Sequence, residues 1–333
     1  YKKLSMSKKN SSVNLKNKFK KFNDLLNIFQ NFEKNLNKFK TKKFLVAVSG
    51  GPDSLALTAL TKLYSLENEK KFYYLLINHN IRTNSGSEAN QVKNLLKKFR
   101  IKLDIIKNTK KITQNIQGEA RKIRYEKLIS FCKKKRINTI ITAHNLEDQV
   151  ETFFIRLSRG SGLTGLSSMK SISKLEKGIY LYRPLLEVEK KYLIKISKKI
   201  FNKYFKDPSN LNKKYLRSKI RNLKGPLKKS GIEYDQIMKS IKNLASSKIT
   251  IDEHVKKTIK EIVTKSKNEV LIDFKKFTKI NNDIKIRVIN EAIRKIKKNY
   301  YNPRSKKVIN LIRNVENKKF TKATLGGCVF SKK

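Results

Sequence analysis

Cysteine is scarce in this sequence. Cys132 and Cys328 are its two cysteines, and they lie far apart in 333 residues without forming a C-x-x-C pair. This excludes a disulfide scaffold, a thiolate zinc site and a cysteine-bound iron–sulfur cluster, and it is typical of a reducing compartment. A run of about 18 apolar residues is also lacking, so the sequence predicts no membrane span. We therefore expect a cytoplasmic protein that has no membrane partner.

Acidic residues are also few. The sequence has 26 Asp and Glu against 80 Lys and Arg, which gives a formal net charge of +54 at pH 7. Such a charge excludes a strongly cationic partner and suits a polyanion such as nucleic acid. Lysine, asparagine and isoleucine are all abundant, so coding bias explains much of the lysine excess. Arginine is more informative because its planar guanidinium binds phosphate through two hydrogen bonds, and the arginines concentrate between Arg121 and Arg221.

The pattern of apolar residues divides the chain into four segments. Residues 1–42 are lysine-rich, and their apolar positions recur every three or four residues, which predicts an amphipathic packing helix. Residues 43–228 alternate short apolar runs with helix-length segments, a pattern typical of an α/β fold with a parallel sheet. Residues 229–318 predict a smaller all-helical domain. Residues 319–333 are strand-like, and we interpret them as the beginning of a truncated further module.

Short apolar runs predict the buried strands of the sheet. Four runs are each followed by a helix-length segment, and a fifth run follows a loop rich in glycine and serine. In parallel sheets of this kind, ligands bind at the carboxyl ends of the strands. The runs are 44–49, 72–78, 102–107, 137–143 and 179–186.

A short polar turn follows the first predicted strand and precedes a helix. Two glycines let the backbone approach a ligand closely, a proline suits the first helical position, and an acid begins the helix. The free N–H groups of such a helix start bind anions. The turn lacks the lysine of a Walker loop and the third glycine of a dinucleotide fingerprint. An ordinary turn is the alternative interpretation. The residues concerned are Ser49, Gly50, Gly51, Pro52, Asp53 and Ser54.

A second cluster of polar residues follows the fourth predicted strand. His144, Glu147, Asp148 and Glu151 fall at positions i, i+3, i+4 and i+7 around a helix start, so they share one face. Acidic groups on such a face suit an ammonium ion or Mg²⁺. A charged helix start that complements the helix dipole is the alternative, and it leaves His144 unexplained.

Basic residues on a predicted helix are candidates for phosphate contacts. Arg121 and Arg124 lie three positions apart, which suits the oxygens of one phosphate chain. The alternative is a solvated basic face, which lysine would fill more naturally in this chain. His79 follows the second predicted strand and fits a nucleotide site or a structural cap equally well.

A turn and a helix near residues 207–221 suggest contact with RNA. Tyr215 lies beside Arg217 and Arg221, and an aromatic residue next to arginines suits stacking and phosphate contact with an unpaired RNA loop. A surface junction between domains is the alternative interpretation.

The polar turn resembles the pyrophosphate loop of the ATP pyrophosphatases, whose signature is S-G-G-x-D-S. These enzymes split ATP into AMP and pyrophosphate while they adenylate a substrate. Six further segments, in the expected order, resemble one branch of that family, the tRNA(Ile)-lysidine synthetases. The resemblance covers residues 43–225. The six segments are INHNIR (77–82), GEARKIRY (118–125), AHNLEDQVET (143–152), RGSGLTGL (159–166), RPLL (183–186) and DPSNLNKKYLRSKIR (207–221).

The resemblance implies a fold and a reaction. It implies a Rossmann-like PP-loop domain of the adenine nucleotide alpha hydrolase type, followed by a smaller helical domain. In that family a ligase adenylates the wobble cytidine of tRNA(Ile) with a CAU anticodon, and free L-lysine then displaces AMP to form lysidine. ATP and Mg²⁺ are the expected cofactors, and the sequence leaves open whether the protein is a homodimer.

The resemblance also implies roles for individual residues. Glu147 stands where the family usually has Asp, which keeps the charge but lengthens its reach. The implied catalytic residues are Asp53, His144, Glu147, Asp148 and Arg121. The implied ATP-binding residues are Ser49, Gly50, Gly51, Pro52, Asp53, Ser54 and His79, with Asp53 also a candidate ligand of Mg²⁺. The implied tRNA- or lysine-binding residues are Arg124, Glu151, Tyr215, Arg217 and Arg221.

Two other functions compete with this interpretation. A tRNA thiolase of the same superfamily usually needs a cysteine pair that this sequence lacks. A catalytically silent RNA-binding protein would keep the fold, but it would have no need of an intact S-G-G-P-D-S turn together with Asp53 and His144.

Overall fold

The structure is a computed structural model that describes residues 23–110, 112–205, 216–266, 269–297, 303, 305–317 and 320–332. The chain divides into two compact units, Tyr1–Lys242 and Asn243–Lys333. This division falls within one continuous helix. The segment boundaries inferred from the sequence stay predictions. Among the described residues, no helix combines the length and the apolar character that a bilayer crossing requires.

A six-stranded sheet runs through the first unit. Its strands are β1 (Lys43–Val48), β2 (Lys71–Asn78), β3 (Leu103–Lys107), β4 (Thr139–Ile141), β5 (Ile172–Glu176) and β6 (Ile179–Tyr182). Their order across the sheet is β3-β2-β1-β4-β6-β5. Neighbouring strands pair in parallel, except that β5 is antiparallel to β6. The predicted parallel sheet is confirmed. The sequence did not indicate β5, because it is an edge strand whose residues are partly or fully exposed.

Helices cover both faces of this sheet. They are α1 (Asn23–Asn37), α2 (Pro52–Ser65), α3 (Ser85–Lys98), α4 (Ile116–Lys135), α5 (Leu146–Leu157), α6 (Leu163–Leu166), α7 (Lys190–Phe201), α8 (Leu216–Asn222), α9 (Lys224–Lys229) and α10 (Tyr234–Ile262), which continues past Lys242. Alternate residues of β1 enter opposite cores, as the pleat requires. Val46 packs with α1, α2, α3 and α7, whereas Leu45 packs with Leu128 and Cys132 of α4.

The N-terminal amphipathic helix is a packing helix, as predicted. Leu25, Phe29, Phe32 and Leu36 recur at helical spacing on α1 and are all buried in the core shared with β1 and α2. The Lys70 ammonium donates to the carbonyl of Leu36 and satisfies one acceptor at the end of the helix. This helix therefore stabilises the sheet.

The second unit is mainly helical, as expected, but it also contains two short hairpins. Its further elements are β7 (Val263–Lys265), β8 (Val270–Ile272), α11 (Phe274–Lys279), α12 (Asn282–Ile296), α13 (Ser305–Glu316), β9 (Lys322–Leu325) and β10 (Cys328–Ser331). Val288, Ile293 and Val308 are fully buried in its core. The strand-like character predicted after residue 319 is confirmed by β9 and β10, which pair antiparallel.

The strand order predicts a crevice in the first unit. The chain continues from β1 to β2 on one side, whereas β4 lies on the other side of β1. Parallel sheets bind ligands where the order reverses in this way, at the carboxyl ends of the strands. The polar turn 49–54 follows β1, and the residues from His144 onward follow β4. The two segments singled out in the sequence thus lie at this reversal.

Candidate active site

The turn after β1 is held together by two serine side chains. Ser54 Oγ accepts a hydrogen bond from the backbone N–H of Ser49 at 3.1 Å and lies 3.1 Å from Ser49 Oγ. The Ser54 hydroxyl also donates to the carbonyl of Gly51 at 3.0 Å. These bonds close the turn on itself. No side chain caps the start of α2 at Gly51, and Pro52 occupies the first turn. The start of this helix therefore keeps N–H groups for an anion.

Gly50 makes the closest packing contact of this turn. Its φ of +83° lies in the left-handed region, which favours glycine. A Cβ atom on Gly50 would lie 2.6 Å from Val92 Cγ2 and 3.4 Å from the Phe205 ring. The carbonyl of Gly50 also accepts a hydrogen bond from the N–H of Phe205 at 3.0 Å. Backbone conformation and packing thus both require glycine here.

Asp53 is the buried acid of this turn. Its Oδ2 lies 3.7 Å from Lys190 Nζ, and its side chain is 25% exposed. Its other oxygen, Oδ1, is buried and has no hydrogen-bond partner among the residues that the structure describes. Burial raises the pKa of Asp53 to about 6, while the charge of Lys190 opposes that shift. A buried acceptor with no partner is costly, so Oδ1 is a position where a ligand cation or donor would be stabilised.

The start of α5 is capped from within the protein. The side chain of Asn145 accepts a hydrogen bond from the N–H of Asp148 at 3.0 Å, and Asp148 Oδ2 accepts one from the N–H of Asn145 at 3.1 Å. This is a reciprocal capping box. Asn145 is 1% exposed, so the cap is sealed from water. One carboxylate oxygen of Asp148, Oδ2, is therefore used in this cap.

His144 precedes this cap and is neutral at pH 7. Its Nδ1 lies 2.9 Å from the hydroxyl of Thr142, which orients the ring. Burial lowers the pKa of His144 to about 4, although the charge of Asp148 acts in the opposite direction. The charges of Arg183, Arg121 and Arg217 lower the pKa further. A neutral imidazole beside a carboxylate can donate or accept a hydrogen bond without carrying charge.

The turn after β1 and the start of α5 form one electrostatic site. The charges of Asp148, Glu147 and Arg221 all act on the pKa of Asp53. Such mutual effects require proximity, because interactions between distant exposed charges are screened. The structure therefore brings together the three acidic residues that the resemblance implies to be catalytic, which are Asp53, Glu147 and Asp148.

Glu147 makes two contacts across neighbouring helices. Its Oε2 accepts a hydrogen bond from the backbone N–H of Lys190 at 2.8 Å. Its Oε1 pairs with Lys224 Nζ at 2.9 Å. The Lys224 ammonium also lies over the ring of Tyr234, 4.9 Å from its centroid. Glu147 therefore joins α5 to the starts of α7 and α9.

Glu151 is a buried carboxylate surrounded by arginines. It is 2% exposed. Its Oε1 accepts from Arg221 Nε at 2.5 Å, and its Oε2 from Arg221 Nη2 at 3.3 Å. Arg217 Nε lies 2.9 Å from Oε2 and forms an ion pair, although it is not aligned for a hydrogen bond. Burial nonetheless raises the pKa of Glu151, since desolvation outweighs the hydrogen bond from Arg221. This cluster fixes α8 against α5.

The candidate basic residues of α4 reach the other side of the site. Arg124 Nε donates to His79 Nε2 at 3.4 Å, which places α4 beside the end of β2. Burial lowers the pKa of His79 to about 4, and the charge of Arg124 adds to that effect. Arg121 is exposed, with its guanidinium over the ring of Tyr125 at 5.1 Å. Both arginines thus lie at a rim that phosphates can approach.

Other arginines of the cluster support loops. Arg156 donates to the carbonyls of Gly165 and Ser168 at 2.6 and 3.0 Å. Arg183 is 8% exposed and donates to the carbonyl of Lys170 and to Ser173 Oγ. The arginine signal in the sequence therefore has two origins, because some of these side chains hold the backbone and others face the site.

Magnesium fits this site only as a partner of phosphate. Among the described residues, no group of three or more His, Cys, Asp or Glu side chains is arranged to hold a metal ion. Mg²⁺ commonly binds through one or two carboxylates together with substrate phosphates. The unpaired Oδ1 of Asp53, beside an uncapped helix start, matches that requirement.

Comparison with known proteins identifies the family. The PP-loop domain family matches residues 25–226. The tRNA(Ile)-lysidine synthase of Wolbachia pipientis wMel is 32% identical over 310 residues, which are 92% of this chain and 72% of that protein. The chain belongs to the tRNA(Ile)-lysidine synthase family.

Further relatives differ in how much of them the chain covers. The tRNA(Ile)-lysidine synthase of Orientia tsutsugamushi (strain Boryong) is 38% identical over 203 residues, 60% of this chain and 46% of that protein. The chain thus matches less than half of that relative. Among solved structures, the U34-tRNA thiolase of Methanococcus maripaludis superposes with a TM-score of 0.57 at 18% identity, covering 67% of this chain and 78% of that one. That likeness shows the fold alone.

Most of the site residues predicted from the lysidine synthase resemblance fall around this crevice. Tyr215 lies outside the described residues. Sequence reasoning missed Asn145, Thr142 and Lys190. The spacing of Asn145 and Asp148 is a capping-box signal that could have been recognised. Lys190 carries no such signal, because it is one lysine among many and only the packing of α7 brings it to Asp53.

Proposed function

We propose that the chain carries out the chemistry of a tRNA(Ile)-lysidine synthase. It adenylates the wobble cytidine of tRNA(Ile) with a CAU anticodon, attaches free L-lysine at C2, and releases AMP and pyrophosphate. One observation carries this proposal: the uncapped helix start at Gly51 and the unpaired oxygen of Asp53 share one electrostatic site with His144 and Asp148. The family membership supplies the substrates.

The turn after β1 binds the leaving pyrophosphate in this proposal. Phosphoryl chemistry depends on positioning and charge neutralisation more than on covalent help from the protein. The first-turn N–H groups of α2 face the anion, and Gly50 and Gly51 permit close approach. Asp53 Oδ1 would hold Mg²⁺, which neutralises phosphate charge when it is bound. The rim residues His79, Arg121 and Arg124 lie on the side where the rest of ATP and the tRNA phosphates approach.

The first step is adenylation of the cytidine. Its O2 attacks the α-phosphorus of ATP, and the bond from that phosphorus to the bridging oxygen breaks so that pyrophosphate leaves. His144, neutral and oriented by Thr142, would hydrogen-bond to the cytidine or to the α-phosphate. Because its pKa is depressed, His144 stays uncharged and adds no further positive charge that would attract the phosphates.

The second step is attack by lysine. The ε-amine of free L-lysine attacks C2, the C2–O bond breaks, and AMP leaves with the oxygen. The amine must lose a proton, and in this proposal the carboxylate of Asp148 accepts it through the oxygen that the cap does not use. Glu151 is already paired with Arg217 and Arg221, so in this proposal the three residues shape the tRNA and lysine side of the site.

A direct assay tests this function. The purified chain is incubated with ATP, Mg²⁺, L-lysine and tRNA(Ile) bearing a CAU anticodon, and the nucleosides are analysed by mass spectrometry. We expect cytidine to gain the mass of lysine less water, with AMP and pyrophosphate formed in equal amounts. The same tRNA with uridine at the wobble position is the control. Absence of the adduct from a folded chain that binds ATP would contradict the proposal.

Sulfur transfer is less well supported as an alternative. Cys132 and Cys328 are both buried and belong to different units. Burial also raises the pKa of Cys132 to about 12, which suppresses its thiolate. A thiolase-like reaction would exchange an oxygen of the base for sulfur, and the same mass spectra would show the mass of sulfur gained and that of oxygen lost.

A further inference from the structure

The contacts of Glu147 differ from those of Asp53. Both oxygens of Glu147 already have protein partners, the N–H of Lys190 and the ammonium of Lys224. Its side chain is 13% exposed. A ligand such as Mg²⁺ or the lysine ammonium would have to displace one of these partners. Asp53 retains a buried oxygen that no described residue hydrogen-bonds. The two acids are therefore suited to different tasks.

The hydrogen bond from Lys190 to Glu147 stabilises the first turn of α7. The N-cap residue of this helix, Glu189, makes no side-chain cap of its own. Glu147 supplies the missing acceptor from another helix, which satisfies one of the free N–H groups of the first turn. The backbone joins the same two elements, because the N–H of Leu146 donates to the carbonyl of Val188 at 3.1 Å. Two separate bonds thus dock the start of α7 on the start of α5.

The docked residue is also the counter-ion of Asp53. Lys190 gives its N–H to Glu147, and its ammonium lies 3.7 Å from Asp53 Oδ2. Farther along the same helix, the Ser197 hydroxyl donates to the carbonyl of Pro52 in the turn that carries Asp53. The helix α7 therefore contacts the turn after β1 at two places. Glu147 determines where the first turn of α7 lies.

We propose that Glu147 is a positioning residue that holds the first turn of α7 so that Lys190 stays beside Asp53. It acts on ATP binding through Lys190 and binds neither lysine nor magnesium directly. This inference rests on the proposed function for the identity of the nucleotide. This role requires a hydrogen-bond acceptor on a side chain as long as that of glutamate, because the contact to Lys190 is a hydrogen bond to a backbone N–H. The negative charge is secondary, because the Lys224 partner is about half exposed.

Three substitutions of Glu147 separate length from charge. Glu147→Gln keeps the length and a carbonyl acceptor for Lys190 but removes the charge. Glu147→Asp keeps the charge but shortens the side chain by one methylene group. Glu147→Ala removes both the charge and the hydrogen-bond acceptor. Lys191→Met is the matched control, since Lys191 is the next residue on α7 and pairs only with Glu189 at 2.8 Å among the ion pairs of the described chain. Lys224→Met removes the other partner of Glu147.

Calorimetric titration with a non-hydrolysable ATP analogue and Mg²⁺, without tRNA, gives the first readout. We expect Glu147→Asp and Glu147→Ala to weaken binding roughly tenfold, the size of one lost hydrogen bond to a charged group. Glu147→Gln, Lys224→Met and Lys191→Met should stay within about twofold of the unaltered chain, because none removes the acceptor for Lys190. A thermal melting curve of each variant checks that it folds. If Glu147→Ala fails to fold, the comparison of Glu147→Gln with Glu147→Asp tests the proposal.

Steady-state adenylation gives the second readout. The KM for ATP should rise in the Asp and Ala variants, while kcat at saturating ATP should change by less than about threefold, as expected for a lost binding contact. If Glu147→Gln and Glu147→Ala both lower kcat at saturating ATP by more than about tenfold, the carboxylate charge itself takes part in chemistry and the inference is wrong. Unchanged ATP binding in both Asp and Ala variants would also overturn it. A chain that shows the expected binding pattern but forms no lysidine would contradict the proposed function and leave this inference standing.

Discussion

The two helix starts at the crevice satisfy their free N–H groups in opposite ways. The start of α5, after β4, has a reciprocal capping box between Asn145 and Asp148. The start of α2, after β1, begins at Gly51 without a side-chain cap and has proline in its first turn. A capped start gains stability and has fewer N–H groups left for a ligand. The uncapped start loses that stability and keeps an anion site.

The acids beside these helix starts follow the same division. Asp148 uses one oxygen in its cap, and Glu147 uses both oxygens in contacts between helices. Asp53 has one buried oxygen without a hydrogen-bond partner in the described part of the chain. Groups left unsatisfied in a folded protein mark positions where stability was given up for binding. The comparison therefore supports the proposal that the turn after β1 binds the pyrophosphate.

The largest effect is expected from Asp53→Asn. Adenylation should fall on the order of 10²-fold, because one preorganised charge facing the phosphates is lost. In the unaltered chain, the adenylation rate should fall about tenfold per pH unit below about pH 6, where Asp53 becomes protonated. A rate that is constant from pH 7 to pH 5 would contradict this assignment of the ionised Asp53.

Stability should change in the opposite direction. The pKa of Asp53 is raised from 3.8 to about 6, so its ionised form is disfavoured in the folded chain. Its destabilising effect is absent below pH 3.8, grows as the pH rises, and is complete above about pH 6. Asp53→Asn should therefore raise the free energy of unfolding at pH 8 by on the order of 1 kcal/mol, allowing for partial exposure. Urea denaturation at pH 8 and pH 4 measures this, and the difference between the two proteins should vanish at pH 4.

The next effect is expected from Gly50→Ala. The left-handed φ and the contact with Val92 at 2.6 Å should together cost about 2 kcal/mol or more of folding free energy. Binding of the ATP analogue should be lost with it, since the turn can no longer close. Gly178→Ala is the control, because Gly178 has a φ of +78° but no atom within 4 Å of the added Cβ. Equal ATP affinity in both variants would show that close packing at Gly50 does not matter.

The smallest effect is expected from giving α2 a cap. In Gly51→Ser the new Cβ would meet no atom closer than 3.7 Å, and the hydroxyl can accept from the first-turn N–H groups. We expect stability to rise by a few tenths of a kcal/mol and ATP binding to weaken, because the hydroxyl competes with phosphate. Gly51→Ala is the control for the added methyl group. At the capped start, Asn145→Ala should lower stability by about 1 kcal/mol, measured by thermal melting. Tighter ATP binding in Gly51→Ser would contradict the comparison.

Strong local patterns made much of the fold predictable. The runs at 44–49, 72–78 and 102–107 correspond to β1, β2 and β3, because buried parallel strands are apolar on both faces. The hairpin partner β5 and the short pair β7 and β8 were missed. Their residues are partly or fully exposed, the longest apolar run among them is the three residues of β8, and their pairing depends on contacts made after the chain has folded.

The candidate site was predictable where residues act through the local backbone. The turn 49–54 and the series from His144 to Glu151 could be recognised because their spacing alone brings the groups together. The ion pair of Lys190 with Asp53 and the cluster of Glu151 with Arg221 join residues far apart in the chain. No local pattern encodes such pairs, and in a lysine-rich sequence the identity of Lys190 adds no information.

The sequence by itself therefore determined the sheet, the anion-binding turn and the acidic helix, because strand burial, glycine geometry and helix periodicity are local properties. The tertiary structure decided which acids are free. Asp53, Asp148 and Glu147 are alike as ionisable groups, and their differences arise from the partners that neighbouring helices bring. A carboxylate can serve a ligand only through the oxygens that packing leaves unpaired, and packing is a property of the whole folded unit.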